Sequence, residues 1–335
     1  MSYRDREAEQ QKTLKKIKLI FLICFALLIL ALSALSFFVP TSSWQYAFSL
    51  PKIEKRKDGE LRIHYLNVGQ ADSTLIEFPD GKTLLIDGGD THSDATIMRY
   101  LNALKIKKLD YVLLTHTDAD HCGSLDEVVK YKGADRVLLP CMTENSTYKT
   151  AYKEFLSVLG SEEIEVKTVK RFDQITSSSA QYPYAFTILF PHGVEYDEET
   201  ESGFSSNELS TIGYLSYGEA DALFCGDTTA NVLQGLVKED GLGAFKPRGI
   251  NLNSIDIMKV PHHGAKDGLT NELVSYFNFR SAVISCGVGN IYGHPHEDLL
   301  DHLSTANCQV YRTDLQGTVV ATISANGSYK FTTEK

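Results

Sequence analysis

Residues 115–124, THTDADHCGS, place His116, Asp118, Asp120 and His121 within six positions, directly after the apolar stretch 111–114. Imidazole and carboxylate together suit Zn²⁺ or Mn²⁺, which accept both donor types. His116 and Asp118 stand two apart, so an extended turn can aim both at one ion. Asp120 and His121 follow at once, and a tight turn can aim them at a second. Two metals about 3.5–4 Å apart need a bridging carboxylate, and a hydroxide between them is a nucleophile for hydrolysis. Asp227, in LFCGDTT, is the natural bridge.

Similar polar clusters follow other apolar runs: Asp87 in LLIDGGD, His262 and His263 in MKVPHHG, His294 and His296 in YGHPH. In sheets flanked by helices, loops at strand ends gather a site. A single His or Asp in such a place is usually a cap or a hydrogen-bonded surface group, and His64, His92 and His302 are read that way. Four ligand-type side chains in six residues, joined by two further His clusters, are read as metal binding.

The elements that must position these residues are legible from periodicity. Segments 62–68, 73–78 and 83–86 read as strands, with PDG turning between the last two. Helix 94–104, strand 111–114, helix 125–131, strand 136–139, helix 151–159 and strand 165–169 follow. Later come strands 186–190, 211–216 and 222–225, helix 230–238, and strands 256–260 and 282–285 with helix 271–277 between them. A short helix at 298–303 and strands 310–312, 318–323 and 328–332 close the chain. Strand pairs followed by alternating strands and helices predict one layered α/β domain over 61–335, with two sheets and helices outside.

The N-terminal part differs. Residues 19–39, LIFLICFALLILALSALSFFV, carry no charge and are long enough to span a bilayer. Lys12, Lys15, Lys16 and Lys18 precede them, so 1–18 are expected in the cytoplasm and the α/β domain outside the cell, joined by a tether at 40–60. ALSALS resembles a signal-peptide cleavage site, but the apolar run exceeds a usual signal core, which favours an uncleaved anchor. The run has no polar face, which argues against a core helix.

The chain has 335 residues and a net charge of −10; residues 1–39 carry six basic and three acidic side chains, so the remainder is −13. That balance argues against a broad electrostatic footprint for nucleic acid. The short basic clusters KIEKRK, KIKK and KTVKR read as solvated surface. Of six cysteines one, Cys24, lies in the apolar run; the other five are scattered with no C-x-x-C pair, are not a disulfide framework, and mostly read as small buried hydrophobes.

The motif resembles the metallo-β-lactamase superfamily of metal-dependent hydrolases, whose hallmark is H-x-H-x-D-H; Asp118 replaces the second His here. LNVGQADSTLIEFPDGKTLLIDGG, THTDADHCGSL, SSNELSTIGYLSYG, LFCGDT, KVPHHGAKDG, ISCGVGNIYGHPH and YRTDLQGTV resemble, in order, motifs of the C-terminal hydrolase-like domain of ComEC-type DNA-uptake channel proteins. The match covers about 61–325. It implies a four-layer αββα sandwich with a dinuclear site of two divalent ions, Zn or Mn. His116 and Asp118 would bind one ion, Asp120 and His121 the other, with Asp227 bridging and His263 or His262 completing a shell. Asp87 would support the site from behind. Asp120 would orient the water, and His294 and His296 would lie near substrate, as acid or phosphate contact, with His296 the catalytic choice. Asn207 and Ser210 would touch metal or substrate. His192 is read as a loop residue before a ligand, and Ala265 stands where the subgroup has Ser. A single apolar span makes the chain a free-standing relative of the channel's hydrolase domain, not the channel.

The implied activity is phosphodiester hydrolysis, with DNA as the substrate class the resemblance implies. A small cell-envelope phosphodiester, a catalytically weak envelope-binding module and a β-lactam hydrolase are the competing expectations. The sequence identifies no protein partner.

Overall fold

The computed structural model describes residues 3–38, 53–141, 149–161, 164–192 and 203–335. Chain contacts divide it into a unit at 1–50 and a unit at 51–335.

In the larger unit, alternating apolar residues build two sheets. One contains β1 (Leu61–Tyr65), β2 (Thr74–Glu77), β3 (Thr83–Ile86), β4 (Leu109–Leu113), β5 (Ala134–Leu139), β6 (Glu165–Thr168), β14 (Val319–Ile323) and β15 (Tyr329–Thr333), in the order β15-β14-β1-β2-β3-β4-β5-β6. The other contains β7 (Gln174–Thr176), β8 (Tyr184–Phe190), β9 (Ile212–Tyr217), β10 (Ala220–Phe224), β11 (Ile257–Lys259), β12 (Ser281–Ile284) and β13 (Gln309–Arg312), in the order β13-β12-β11-β10-β9-β8-β7. Each sheet is antiparallel in one part and parallel in the other. β3 to β6 run parallel, as do β10 to β13. Parallel strands finish at the same edge, so the loops after β3, β4, β10, β11 and β12 are the ones able to share a site.

One core draws from both sheets: Leu61, Ile63 and Tyr65 of β1 join Leu215 and Tyr217 of β9 and Phe224 of β10. The period of two sends every other residue of a strand there. A second core joins the far face of the β7–β13 sheet to helices Ala230–Gly241, Asn271–Phe277 and Glu297–Thr305. It is built from Leu223 and Met258 with Leu233, Leu236, Leu273, Phe277, Leu299 and Leu303. Leu299 and Leu303 lie four apart, on one helical face. Helices Asp94–Ala103, Leu125–Lys132 and Thr150–Ser161 bury Ile97, Leu101, Val128, Val129 and Phe155. The expected α/β arrangement of two sheets with helices is therefore found. Strand β7 and the short helices Ala119–Cys122 and Thr313–Gln316 have too few residues to show a period, and the sequence did not reveal them.

His64 is not the surface group expected. It is buried in β1, with Nε2 2.8 Å from Glu77 Oε2 and Nδ1 2.9 Å from the Tyr100 hydroxyl. Arg62 Nη2 also reaches Glu77 Oε2, at 2.6 Å. None of the six cysteines forms a disulfide, and Cys122, Cys141, Cys225 and Cys286 are buried.

In the smaller unit a helix spans Tyr3–Phe38. Among the described residues no helix is long and apolar enough to cross a membrane, so the expected span at 19–39 is not found there. Residue 39 and the side chains of 28 and 31–38 lie outside the described residues, which leaves a described apolar stretch shorter than the roughly 20 residues a bilayer crossing needs. The described part is apolar and open: Leu19, Ile20, Phe21 and Leu22 are all exposed. The expected tether at 40–60 falls largely outside the described residues.

Candidate metal centre

Four imidazoles turn the same nitrogen toward one space, because each has its other nitrogen engaged. His121 has Nδ1 2.8 Å from Asp87 Oδ2. His263 has Nδ1 2.9 Å from the Ser285 carbonyl. His262 has Nδ1 3.1 Å from Asp267 Oδ1. His116 has Nδ1 3.2 Å from the Thr115 hydroxyl oxygen, whose proton is given to Asp87 Oδ2 at 2.7 Å. A carboxylate or carbonyl can only accept, so each Nδ1 carries a proton and each Nε2 is the atom left to face the cluster, where it holds a second proton or, once that is lost, a metal. This is how histidines are oriented toward metals.

The Nε2 atoms face carboxylates. Asp227, buried in the loop after β10, brings Oδ1 to 3.1 Å from His121 Nε2 and Oδ2 to 3.5 Å from His263 Nε2. His262 Nε2 is 3.9 Å from the same Oδ2. Asp120 Oδ2 lies 3.2 Å from His263 Nε2. Donor atoms of Asp120, His121, Asp227 and His263 all fall within 4.8 Å of one another. Ligands 2.0–2.2 Å from a tetrahedral ion stand roughly 3.3–3.6 Å apart, so the spacing fits a cation at the centre. His116 Nε2, His121 Nε2 and Asp227 Oδ1 are buried and make no hydrogen bond, which ordinary polar groups at this depth avoid. The donor set thus fits a divalent ion.

The electrostatics agree. Burial disfavours charge on His121 and His263, but the Asp227 carboxylate overrides it and raises both. Asp227 is held well below the usual carboxylate range: burial opposes this, but the charges of His121 and His263 prevail. Asp120 is lowered for the same reasons, by the His263 hydrogen bond and then by His121. His116 is pushed down to about 3 by burial and then by the charge of His121, which keeps its ring neutral. The cluster demands positive charge between its carboxylates, from protons or from a metal.

The local backbone is shaped for this. Asp87 ends β3 at φ 61°, and His262 and His263 have φ 49° and 52°. Left-handed residues other than glycine cost about 1–2 kcal/mol each. Here they are tied down by Asp87 N–H to the Leu113 carbonyl (2.9 Å) and His262 N–H to the Gly226 carbonyl (3.1 Å). Gly226 has φ 51°, and a Cβ there would lie 3.0 Å from Ser210 Cβ and 3.1 Å from Thr115 Cβ, so a larger residue would be strained and would press on both.

The structure therefore brings together Asp120, His121, Asp227 and His263. His116 lies tilted beside them, its ring 4.1 Å from that of His121, and His262 borders them. Asp87 stands behind His121. Asn207 Nδ2 is 3.5 Å from His262 Nε2, and the Ser210 hydroxyl accepts the Asp227 N–H at 3.1 Å. Asp118 does not join the compact cluster. Its Oδ1 is 3.9 Å from His116 Nε2, but Lys149 and Ser206 hold that oxygen. His294 lies against the cluster, its ring 5.6 Å from His262 and 6.3 Å from His263. His296 lies next to His294, its ring 4.9 Å away, and its Nδ1 accepts the Lys266 N–H at 3.1 Å. His192 pairs with Glu239 at 2.9 Å, outside the cluster.

Sequence reasoning missed Thr115, Asp72 and Lys259. Asp72 and Lys259 form a buried ion pair under the site, and Asp72 Oδ1 is 3.8 Å from His263 Nδ1. Asp72, Asp87 and His121 form a second tight group of candidate ligands. Asp72 was visible only as one acid in GQADS, with nothing to mark it.

Residues 66–288 match the profile described as "Metallo-beta-lactamase superfamily". The chain is 26% identical over 277 residues to ComE operon protein 3 of Bacillus subtilis, covering 78% of this chain and 33% of that protein. It is 24% identical over 301 residues to competence protein ComA of Neisseria gonorrhoeae, covering 89% and 38%. It thus spans about a third of these relatives' length. Over 61 residues it is 48% identical to anti-Pycsar protein Apyc1 of Bacillus phage 010DV004, covering 18% of this chain and 22% of that protein. Among solved structures, the metallo hydrolase Igni18 of Ignicoccus hospitalis aligns over 78% of this chain and 98% of its own, with 16% identity and a TM-score of 0.46.

Proposed function

The chain belongs to the metallo-beta-lactamase superfamily, and we propose that it hydrolyses a phosphodiester at a centre for two divalent cations, Zn or Mn. The observation that carries this reading is the convergence of imidazole Nε2 atoms on the two oxygens of Asp227, His121 on Oδ1 and His263 and His262 on Oδ2. We assign Asp120, His121, Asp227 and His263 to one cation position. His116, with Asp118 and His262 as further ligands, serves the second. Bound there, the cations would supply Lewis acidity toward the phosphoryl oxygens and a water acidic enough to react near neutral pH.

The chain's own groups do the rest. Asp120 is part-exposed and hydrogen-bonded to His263, so it can orient a water from the open side and hold its proton. Asp227 places one oxygen toward each flank of the site. Asp87 and Ser285 keep two imidazoles in one tautomer through the reaction. His294 is pushed down to about 4, by burial first and then by the charges of His263 and His262. Its neutral ring is the group placed to contact a phosphoryl oxygen or the leaving oxygen. We give His296, whose Nδ1 accepts the Lys266 N–H, a supporting place beside His294 and not the catalytic role.

We further read the chain as membrane-attached, with the hydrolase unit outside the cell. The four lysines before residue 19 and the exposed Leu19–Leu22 segment support this. The net charge of −10 favours a small envelope phosphodiester over a long polyanion such as DNA.

The test uses the full chain in detergent, loaded with Mn²⁺ or Zn²⁺, against bis-p-nitrophenyl phosphate, single-stranded DNA and a choline phosphodiester. Hydrolysis of at least one is expected, and its loss in Asp227→Ala. A metal-loaded chain inert toward all three, or an Asp227→Ala variant at the wild-type rate, overturns the reading.

A further inference from the structure

Asp118 precedes the short helix Ala119–Cys122, and one of its oxygens is in demand from two sides. Oδ1 stands 3.9 Å from the buried, unpartnered Nε2 of His116. The same atom accepts the Lys149 ammonium and the Ser206 hydroxyl. Lys149 comes from the segment entering helix Thr150–Ser161, and Ser206 from the segment leading to β9. Three distant parts of the chain thus meet on the oxygen nearest His116. An ammonium and a divalent cation are both positive, so they cannot share it at close range. A neutral imidazole at 118 would give an ammonium no such anchor; a carboxylate does.

We propose that Lys149 is a latch on Asp118: its ammonium occupies the carboxylate oxygen that a cation at His116 requires, so the two cation positions fill unequally. This rests on reading the cluster as a metal centre. Lys149 gives its ion pair to Asp118 and not to Asp120 or Asp227, so the first position fills freely. The second fills only as Lys149 lets go. Asp118 and Lys149 are 27% and 47% exposed, so water stabilises the released ammonium and the latch opens at modest cost. Ser206 holds the carboxylate in the latched orientation.

The test is a calorimetric titration of the metal-stripped full chain with Mn²⁺. The wild type takes up one ion tightly and a second more weakly. K149M tightens the second step about fivefold and leaves the first unchanged, which also shows the variant is folded. K149R keeps the wild-type inequality, and S206A shifts the second step in the same direction by less. Equal affinities in the wild type, or a second step that K149M leaves unchanged or weakens, overturn the latch. If K149M does not fold, S206A decides, and an unchanged second step there overturns it. One ion in both wild type and K149M removes the latch but spares the metal centre; no ion in the wild type removes the metal centre itself.

Discussion

His121 is held between two buried carboxylates, with Nδ1 2.8 Å from Asp87 and Nε2 3.1 Å from Asp227. The first contact fixes the tautomer that makes the second useful. An imidazole free to turn would offer a ring proton to Asp227 and close the space to a cation. Asp87 is itself saturated by Thr115, through the N–H at 2.8 Å and the hydroxyl at 2.7 Å, so it cannot swing away.

Asp87→Ala is therefore expected to weaken metal binding about 10–100-fold without removing a ligand. Competition against a chromophoric chelator measures this. An unchanged affinity would show that His121 keeps its orientation unaided.

The two late histidines should separate. His294→Ala is expected to lower kcat/KM by about 10²-fold, the usual order for a proton-transfer or transition-state contact, while His296→Ala costs a few-fold at most. Steady-state kinetics on bis-p-nitrophenyl phosphate compares them. Equal losses would place His296 beside His294 in the reaction.

The strand-end ligands were legible because each follows an apolar run whose period sets where the strand stops: Asp87, His116, Asp227 and His263 could all be placed at one edge. The order among them was not. Asp118 reads as a ligand by spacing, yet its partners Lys149 and Ser206 sit 31 and 88 positions away. His294 and His296 look equivalent in YGHPH, and only their contacts separate them: His294 meets the rings of His262 and His263, and His296 accepts the Lys266 N–H. Lys259 lies inside a strand, where a lone lysine suggests an exposed face, and its reason for burial is Asp72, far off in the chain. Periodicity carries local geometry; charge pairs across the fold leave no local trace.

Acid should unfold the protein partly through His64. Burial holds this histidine below its ordinary 6.5, with Glu77 opposing and Arg62 assisting. As pH falls through 6.5 the unfolded chain binds a proton that the folded one refuses, so stability declines, by up to ~1.4 kcal/mol per pH unit. His64→Gln retains a donor for Glu77 and an acceptor for Tyr100 but does not titrate. Wild type should lose stability relative to this variant between pH 7 and 5.5 in urea unfolding. Parallel curves would mean that His64 takes up its proton in the folded state.

Lys259 and Asp72 test how the charge beneath the site is balanced. Both are buried, and the Lys259 ammonium also donates to the Val260 carbonyl at 3.0 Å. Burial alone would lower this lysine, but the Asp72 carboxylate, with Asp227 beyond it, raises it. Asp72 in turn holds neighbouring backbone, its N–H donating to the Asp120 carbonyl at 3.0 Å and its carbonyl accepting from Gly89 N–H at 2.7 Å. Lys259→Met leaves a buried carboxylate unpaired and is expected to cost about 3–5 kcal/mol. Adding Asp72→Asn removes the orphan charge and should restore most of that loss, since an uncharged pair owes no desolvation of ions. Urea unfolding of the two singles and the double gives the coupling. A Lys259→Met variant within about 1 kcal/mol of wild type would mean that the ligand cluster above already neutralises Asp72, and that the lysine is dispensable to the fold.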